Sequence, residues 1–342
     1  MKKLRAILVG FGTVGTGVAR VIHEKARELA KNYGLDVKVV AICEKEGCIV
    51  EERGIELGEV LKLKAAGKLS SHPSWRKERS LSVIKSVPAE IVIEMTPTNI
   101  ETGEPGLAHI RAAFENGKSV ITSNKGPLAL RYWELMEAAR KAGQHLLFEA
   151  TVCGGMPTMN MVRHCMQLNR ISSIKGILNG TTNYILTKMH EDNMSFAAAL
   201  QEAKELGYAE ADPTYDIEGI DAAAKLVILA NSIMGMKKSY ADVKRTGIKD
   251  VTMEAVALAK ANDFVIKLIG EVNAEGMSVA PRLLHKLHPL NVGGTLNALL
   301  FEADLAKEVI VIGRGAGQIE TASAILNDLI ELSRNIEPKV SF

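Results

Sequence analysis

The spacing of apolar and polar residues divides the chain into two stretches with different rhythms. Up to residue 148, short apolar runs alternate with segments of helical period, the pattern of strands and helices taken in turn around a parallel sheet. In this reading residues 4–9 form a buried strand, followed by a glycine-rich turn and a helix over 14 to about 31. Further strands fall at 37–42, 91–94, 118–121 and 145–148, with helices at 56–66, within 103–115 and at 128–141. Residues 70–82, with His72-Pro73 and a run of basic side chains, read as an exposed loop carrying a solvated histidine. The alternation stops at 149–157, the expected hinge. Beyond it, helical segments at 156–168, 182–190, 195–206 and 219–234 mix with strands at 173–178, 265–272 and 277–285. That is an α+β composition, in which antiparallel strands carry helices on one face. A strand at 309–312, a glycine turn and a helix to about 334 read as the chain returning to pack on its first domain.

The turn after the first strand reads Gly10-Phe-Gly12-Thr-Val-Gly15. Its glycines have separate tasks: a tight turn, close approach of the backbone to a pyrophosphate, and close packing of helix on strand, with the helix N-terminus facing the phosphates. Strand, glycine turn and helix in that order make a dinucleotide-binding fingerprint; the bland alternative is a tight turn with no ligand. The expected fold class is therefore α/β, with an N-terminal Rossmann-type dinucleotide-binding domain over 1–150. A second α+β substrate-binding and dimerisation domain follows over 151–308, and segment 309–342 goes back to the first. Cys43-Glu44-Lys45 close the second strand where an adenosine ribose is read. Glu44 suits a 2′-hydroxyl and Lys45 a 2′-phosphate, so NAD and NADP both stay open. Residues 95–99 and 122–125 close two more strands at the carboxyl edge, where ligands bind in open α/β sheets.

The most unusual stretch is 207–225, which holds Glu210, Asp212, Asp216, Glu218 and Asp221, then one lysine, and runs into Leu226-Val-Ile-Leu-Ala230. Helical geometry puts Asp221 and Lys225 one turn apart on a helix too apolar for a surface. Two readings stay open: an intrahelical ion pair, or a lysine poised between burial and a carboxylate to exchange protons. Bulk properties add little. With 342 residues, about two domains are expected; 47% apolar, 24% charged and a net charge of +2 give no pull toward nucleic acid or membrane. The N-terminus reads as a strand and not a signal, and no run reaches the ~18 apolar residues of a membrane span, so a cytoplasmic protein is expected. Four cysteines without a Cys-x-x-Cys spacing form no disulfide framework; Cys43, Cys48 and Cys165 are taken as structural or incidental.

Together, Gly10 to Gly15, Thr122-Ser-Asn-Lys125, Glu149-Ala-Thr-Val-Cys-Gly-Gly-Met-Pro157, Leu178-Asn-Gly-Thr-Thr-Asn-Tyr-Ile185, the 207–225 stretch and Gly313-Arg-Gly-Ala-Gly317 resemble the homoserine dehydrogenase family. The resemblance covers nearly the whole chain. The opening fingerprint is widely shared, whereas Glu210-Ala-Asp-Pro213 with Gly219-Ile-Asp-Ala-Ala-Ala-Lys225 is narrow. The resemblance implies NAD(P)H-dependent reduction of L-aspartate 4-semialdehyde to L-homoserine, a step toward threonine, methionine and isoleucine. By the same resemblance Lys225 is the proton donor to the new alkoxide and Lys125 a second active-site lysine supporting negative charge. Glu210 and Asp221 match the positions that hold the substrate's amino end, with Tyr208 and Asp216 lining the pocket. The cofactor positions implied are Phe11, Gly12, Thr13 and Val14 beside Gly10 and Gly15, then Thr96, Lys125, Gly207 and Gly317. A monovalent cation, sodium, is implied at the main-chain carbonyls of Glu149, Val152, Gly154 and Met156, and a homodimer is implied as the assembly.

Two positions depart from the family pattern. Ser123 stands where alanine is common, and Cys153 where glycine is frequent, which bears on the φ that turn can adopt. The chain ends at Phe342 without a fused aspartate kinase or a threonine-sensing C-terminal domain, so built-in feedback control is not expected. Readings from other classes are a phosphorylating semialdehyde dehydrogenase with Cys153 as nucleophile, and a non-catalytic dinucleotide-responsive binding protein in which Asp221 and Lys225 are only a structural pair.

Overall fold

The computed structural model describes residues 1–335, which fall into two compact units: Met1–Gly154 with the chain from Gly317 onward, and Gly155–Ala316. Among the described residues the first unit has one seven-stranded sheet. Its strands are β1 (Lys2–Val9), β2 (Leu35–Cys43), β3 (Cys48–Val50), β4 (Trp75–Arg76), β5 (Ile91–Glu94), β6 (Ser119–Thr122) and β7 (Leu146–Leu147), in the order β4-β3-β2-β1-β5-β6-β7. The five strands from β2 to β7 in that order are parallel, while β3 and β4 are antiparallel additions at one edge. Ile7, Leu8, Ile91, Val92, Ile93, Val120 and Ile121 are all fully buried, as parallel strands covered on both faces require. The chain moves from β1 to β2 on one side and then crosses to β5 on the other. The order therefore reverses at β1, which places the ligand crevice at the carboxyl ends of β1 and β5.

Helices α1 (Thr13–Glu24), α2 (Ala26–Tyr33), α3 (Leu57–Ala65), α4 (Ser80–Ser86), α5 (Gly106–Glu115) and α6 (Lys125–Ala142) connect these strands. The single helix expected over 14–31 is two. It breaks at Lys25 (φ −102°, ψ 13°), where the apolar stripe of Val18, Ala19 and Ile22 runs out and only Leu29 of α2 is buried. The stretch 70–82 is also not an open loop. Trp75 and Arg76 pair with β3, α4 starts at Ser80, and His72 is buried with its Nδ1 accepting the Ser74 N–H at 3.2 Å. A histidine that satisfies its own turn has no need of solvent.

The second unit carries helices α7 (Thr158–Cys165), α8 (Gly180–Glu191), α9 (Phe196–Glu205), α10 (Thr214–Ile217), α11 (Ile220–Ser232) and α12 (Met253–Ala261). Its sheet is formed by β8 (Ile171–Ile177), β9 (Val243–Arg245), β10 (Phe264–Asn273), β11 (Gly276–His285), β12 (Leu296–Ala303) and β13 (Lys307–Arg314), in the order β13-β12-β8-β10-β11-β9. All neighbours are antiparallel except β9 and β11. One buried cation fixes the loop between β11 and β12. The Lys267 ammonium donates to Asn183 Oδ1 (2.9 Å) and Thr187 Oγ1 (2.9 Å) on α8 and to Val292 O (2.8 Å), and burial lowers its pKa to about 8.

The last helix, α13 (Gln318–Asn335), belongs to the first unit. The segment 309–342, expected to return as one piece, therefore divides. β13 stays in the second sheet, paired with β12 from Leu296↔Arg314 to Ala303↔Lys307, because the two strands are arms of one hairpin. Only the chain after Ala316 rejoins the first unit, where Ala322, Ile325, Leu329 and Leu332 enter the core beside Val18 and Ile22. No helix among the described residues is long and apolar enough to cross a membrane.

Candidate active site

In the first unit the site is built around the end of β1. Gly10 turns with φ 92°, and a Cβ there would lie 2.6 Å from Met95 O; a Cβ on Gly15 would lie 2.1 Å from Gly10 O. Both contacts are backbone, so neither can give way. Gly12 is different: it is the N-cap residue of α1, its Cβ direction meets nothing within 4 Å, and the helix has no side-chain cap and no acidic residue in its first turn. The first N–H groups of α1, beginning at Thr13 and Val14, thus have no side-chain cap, and the uncapped positive end of the helix fits a pyrophosphate. Phe11 is buried in the core, so only its main chain can serve a ligand. The start of α13 is tied to the same helix, with Gln318 Nε2 donating to Thr13 O (3.1 Å) and Thr16 Oγ1 (2.9 Å) directly after Gly317.

At the ribose end of β2, Glu44 forms an ion pair with Lys64 of α3, whose ammonium lies 6.0 Å from the Phe11 ring centre, while Lys45 is exposed. At the ends of β5 and β6 a fully buried carboxylate organises the turns. Glu94 accepts from the Thr96 N–H (3.1 Å) and hydroxyl and from Thr122 Oγ1 (3.2 Å), with His109 Nδ1 at 3.5 Å. Asn124 Nδ2 reaches Thr96 Oγ1 (3.2 Å), and its carbonyl oxygen caps α6 by accepting the Gly126 N–H (3.1 Å). Lys125, the first residue of α6, and Thr96 are thereby positioned by one network centred on Glu94. Sequence reading missed Glu94, because a carboxylate ending an apolar strand has no spacing that marks it.

The turn after β7 is buried from Glu149 to Gly154, and Cys153 adopts φ 53°, a left-handed conformation that favours glycine. Main-chain oxygens are the hard donors that suit an alkali cation, so the carbonyls of Glu149, which also accepts the Val152 N–H at 3.4 Å, Val152 and Gly154 fit such an ion by donor type. Met156, also buried, is the second residue of the other unit. Cys153 itself is fully buried, a poor presentation for a nucleophile.

In the second unit one amide gathers the acidic residues. Asn179, the N-cap of α8, accepts the Thr182 N–H through Oδ1 (2.9 Å) and donates through Nδ2 to Asp216 Oδ1 (2.6 Å) and Asp221 Oδ2 (3.0 Å). Asp221 Oδ2 also meets Lys225 Nζ at 2.7 Å, and the ammonium donates to Leu178 O at 2.7 Å. Asp221 and Lys225 are both buried, on a helix whose residues from Asp221 to Asn231 are all buried. Burial, then the neighbouring Asp221 charge, raises the pKa of Asp216, opposed by the Asn179 hydrogen bond. Tyr208 O accepts from Thr181 Oγ1 (2.7 Å), which ties the 207–213 loop to the first turn of α8. Gly207 (φ 74°) opens that loop, and Glu210 is exposed on it without an ion pair among the described residues. The structure thus brings together Asp216, Asp221 and Lys225, ties Tyr208 to them through α8, and leaves Glu210 outside the hydrogen-bonded group. Asn179 went unassigned in the sequence because its role joins residues 37 and 42 positions away.

Comparison with known proteins bears on both units. A family model described as homoserine dehydrogenase matches residues 157–330, and one described as the homoserine dehydrogenase NAD binding domain matches residues 10–149. A homoserine dehydrogenase of Methanocaldococcus jannaschii is 53% identical over 95% of this chain and 97% of its own length. An NAD(+)-dependent homoserine dehydrogenase of Pseudomonas canavaninivorans is 36% identical over 99% of each chain. Among solved structures, a homoserine dehydrogenase from Archaeoglobus fulgidus superposes with a TM-score of 0.89 at 43% identity, over 96% of this chain and 99% of that one.

Proposed function

The chain belongs to the homoserine dehydrogenase family, and from that premise we propose which of its residues do the chemistry. It is an NAD(P)-dependent oxidoreductase interconverting L-aspartate 4-semialdehyde and L-homoserine. The bound dinucleotide supplies or accepts the hydride. Lys225 moves the proton: its ammonium donates to the oxygen that becomes an alkoxide, and in the reverse direction the amine takes the proton from the homoserine hydroxyl. The observation that carries this assignment is the double anchoring of Nζ by Asp221 Oδ2 and Leu178 O on a buried helix face. With Nζ held by both groups, the ammonium cannot swing, and the proton is moved at a fixed atom. Lys125, at the positive end of α6, supports the developing negative charge. Asp216 and Asp221, with Glu210 from the loop, hold the substrate ammonium, and Asn179 is the positioning residue that spaces the first two.

The raised pKa of Asp216 gives a sign to the pH dependence. The group loses its charge at a higher pH than an ordinary aspartate, so as pH falls through that value the substrate ammonium loses a carboxylate. The KM for L-homoserine then rises about 10–100-fold, the worth of a charge-assisted hydrogen bond. In Asp216→Asn the KM is already raised and nearly level over the same range. A wild-type KM profile matching the variant's would remove Asp216 from the clamp.

For the cofactor we propose a preference for NAD(H). Glu44 stands where a carboxylate reads the ribose hydroxyls, and the 36% identical relative is NAD(+)-dependent. Glu44→Ala releases Lys64 to meet a 2′-phosphate, and the ratio of kcat/KM for NADPH over NADH is expected to rise about tenfold or more. An unchanged ratio would place the choice elsewhere. We also propose a sodium ion at the carbonyls of Glu149, Val152, Gly154 and Met156, where it would stiffen the turn, and a cytoplasmic homodimer as the working form. The family and the buried turn support the first, the family alone the second.

A further inference from the structure

The hairpin that carries Glu44 also holds two thiols that face each other. Cys43 ends β2, Cys48 begins β3, and the two are register partners in the antiparallel pair. Hydrogen bonds from Glu44 N–H to Gly47 O (2.8 Å) and from Glu51 N–H to Val40 O (2.9 Å) fall on alternate rungs of this ladder. Cys43 and Cys48 are therefore a non-hydrogen-bonded pair. Such a pair brings its Cα atoms to about 4.5 Å with the side chains on one face, within the range of about 4.4–6.8 Å over which a disulfide closes without moving the backbone. The neighbouring Cys48, then burial, holds the Cys43 thiol well above its usual range, while Cys43 lowers the pKa of Cys48, whose thiol donates to Glu78 O at 3.4 Å. Cys43 is also a structural part of the cofactor turn, since its carbonyl accepts the Gly10 N–H at 2.9 Å.

We infer that Cys43 and Cys48 are an oxidation site at which a peroxide forms an intramolecular disulfide, and, on the reading that Glu44 receives the adenosine ribose, that this modification weakens cofactor binding. The Cys48 thiolate attacks one peroxide oxygen; the O–O bond breaks, hydroxide leaves and takes up a proton as water, and a sulfenic acid remains on Cys48. The Cys43 thiol then gives up its proton and attacks that sulfur. The S–O bond breaks, a second water leaves and the S–S bond forms. The two sulfurs have lost two electrons, and the two peroxide oxygens have gained them. Hydrogen peroxide is small enough to reach buried thiols through brief opening of a short edge hairpin, as β3 and β4 are only three and two residues long. The bond turns both cysteine side chains toward each other directly beside Glu44, and this side-chain change, with the backbone in place, disturbs the ion pair of Glu44 with Lys64.

The test treats the full chain with hydrogen peroxide and maps unreduced peptides by mass. A linked peptide joining Cys43 to Cys48 is expected, with a cofactor KM raised severalfold, an unchanged KM for L-homoserine, and reversal of both changes by dithiothreitol. Cys48→Ala is expected to lose the link and the effect of peroxide on the cofactor KM, whereas Cys165→Ala keeps both. Peroxide-treated protein in which Cys43 and Cys48 stay unlinked overturns the oxidation site, and this map needs no variant. A complete link with an unchanged cofactor KM keeps the site and overturns its tie to the ribose.

Discussion

Replacing Lys225 by methionine is expected to lower kcat for L-homoserine oxidation about 10²–10⁴-fold, the range for loss of a positioned proton-transfer group, while the cofactor KM stays near its wild-type value. Methionine is chosen because it fills the volume of the lysine stem and needs no partner, so the helix face from Asp221 to Asn231 remains packed. The ammonium sits 2.7 Å from both Asp221 Oδ2 and Leu178 O. If these contacts served only the fold, the variant would lose stability and keep its turnover per folded molecule. If they serve chemistry, the folded fraction turns over slowly at saturating substrate, because a group acting in the transition state appears in kcat. Initial rates followed by nicotinamide absorbance, normalised to the folded fraction, separate the two cases. Wild-type turnover in Lys225→Met would dismiss the lysine as proton donor.

What the sequence disclosed was what short-range spacing encodes. Gly10, Gly12 and Gly15 could be placed because a strand, a glycine turn and a helix adjoin in the chain, and Asp221 with Lys225 because one helical turn separates them. The apolar runs at Ile91–Glu94 and Ser119–Thr122 stood out for the same reason, each being buried on both faces. Elements that take their stability from distant partners did not. β12 is half of a hairpin with β13 and also pairs with β8, more than a hundred residues earlier, and its run of alanine and leucine has no strand period. α12 has too weak an amphipathic stripe to announce itself, with only Val256 and Ala259 buried. The same limit hid Asn179, Glu94 and Lys267. Their work includes satisfying polar groups 28 to 84 residues away, as Glu94 does for Thr122 and Lys267 for Asn183. A buried polar residue is costly unless satisfied, but only the fold says by what.

Asp221→Ala is expected to lower the unfolding temperature on the order of 10 °C, because a buried ammonium stripped of its carboxylate costs about 3–5 kcal/mol. Lys225 and Asp221 have side chains only 9% exposed, so little water is available to replace the lost partner. The KM for L-homoserine should rise as well, since Asp221 belongs to the group that meets the substrate ammonium. The informative variant is the double one, Asp221→Ala with Lys225→Met. Replacing a buried ion pair with apolar side chains is often neutral or stabilising, so most of the lost unfolding temperature should return while turnover stays at the level of Lys225→Met. Recovery of the fold without recovery of activity assigns the pair two separable tasks: Asp221 makes a buried lysine tolerable, and Lys225 moves the proton. A double variant no more stable than Asp221→Ala would instead mean that Asp221 supports the fold chiefly through the Asn179 amide that it shares with Asp216. In that case Asn179→Ala should reproduce the stability loss of Asp221→Ala with Lys225 still in place.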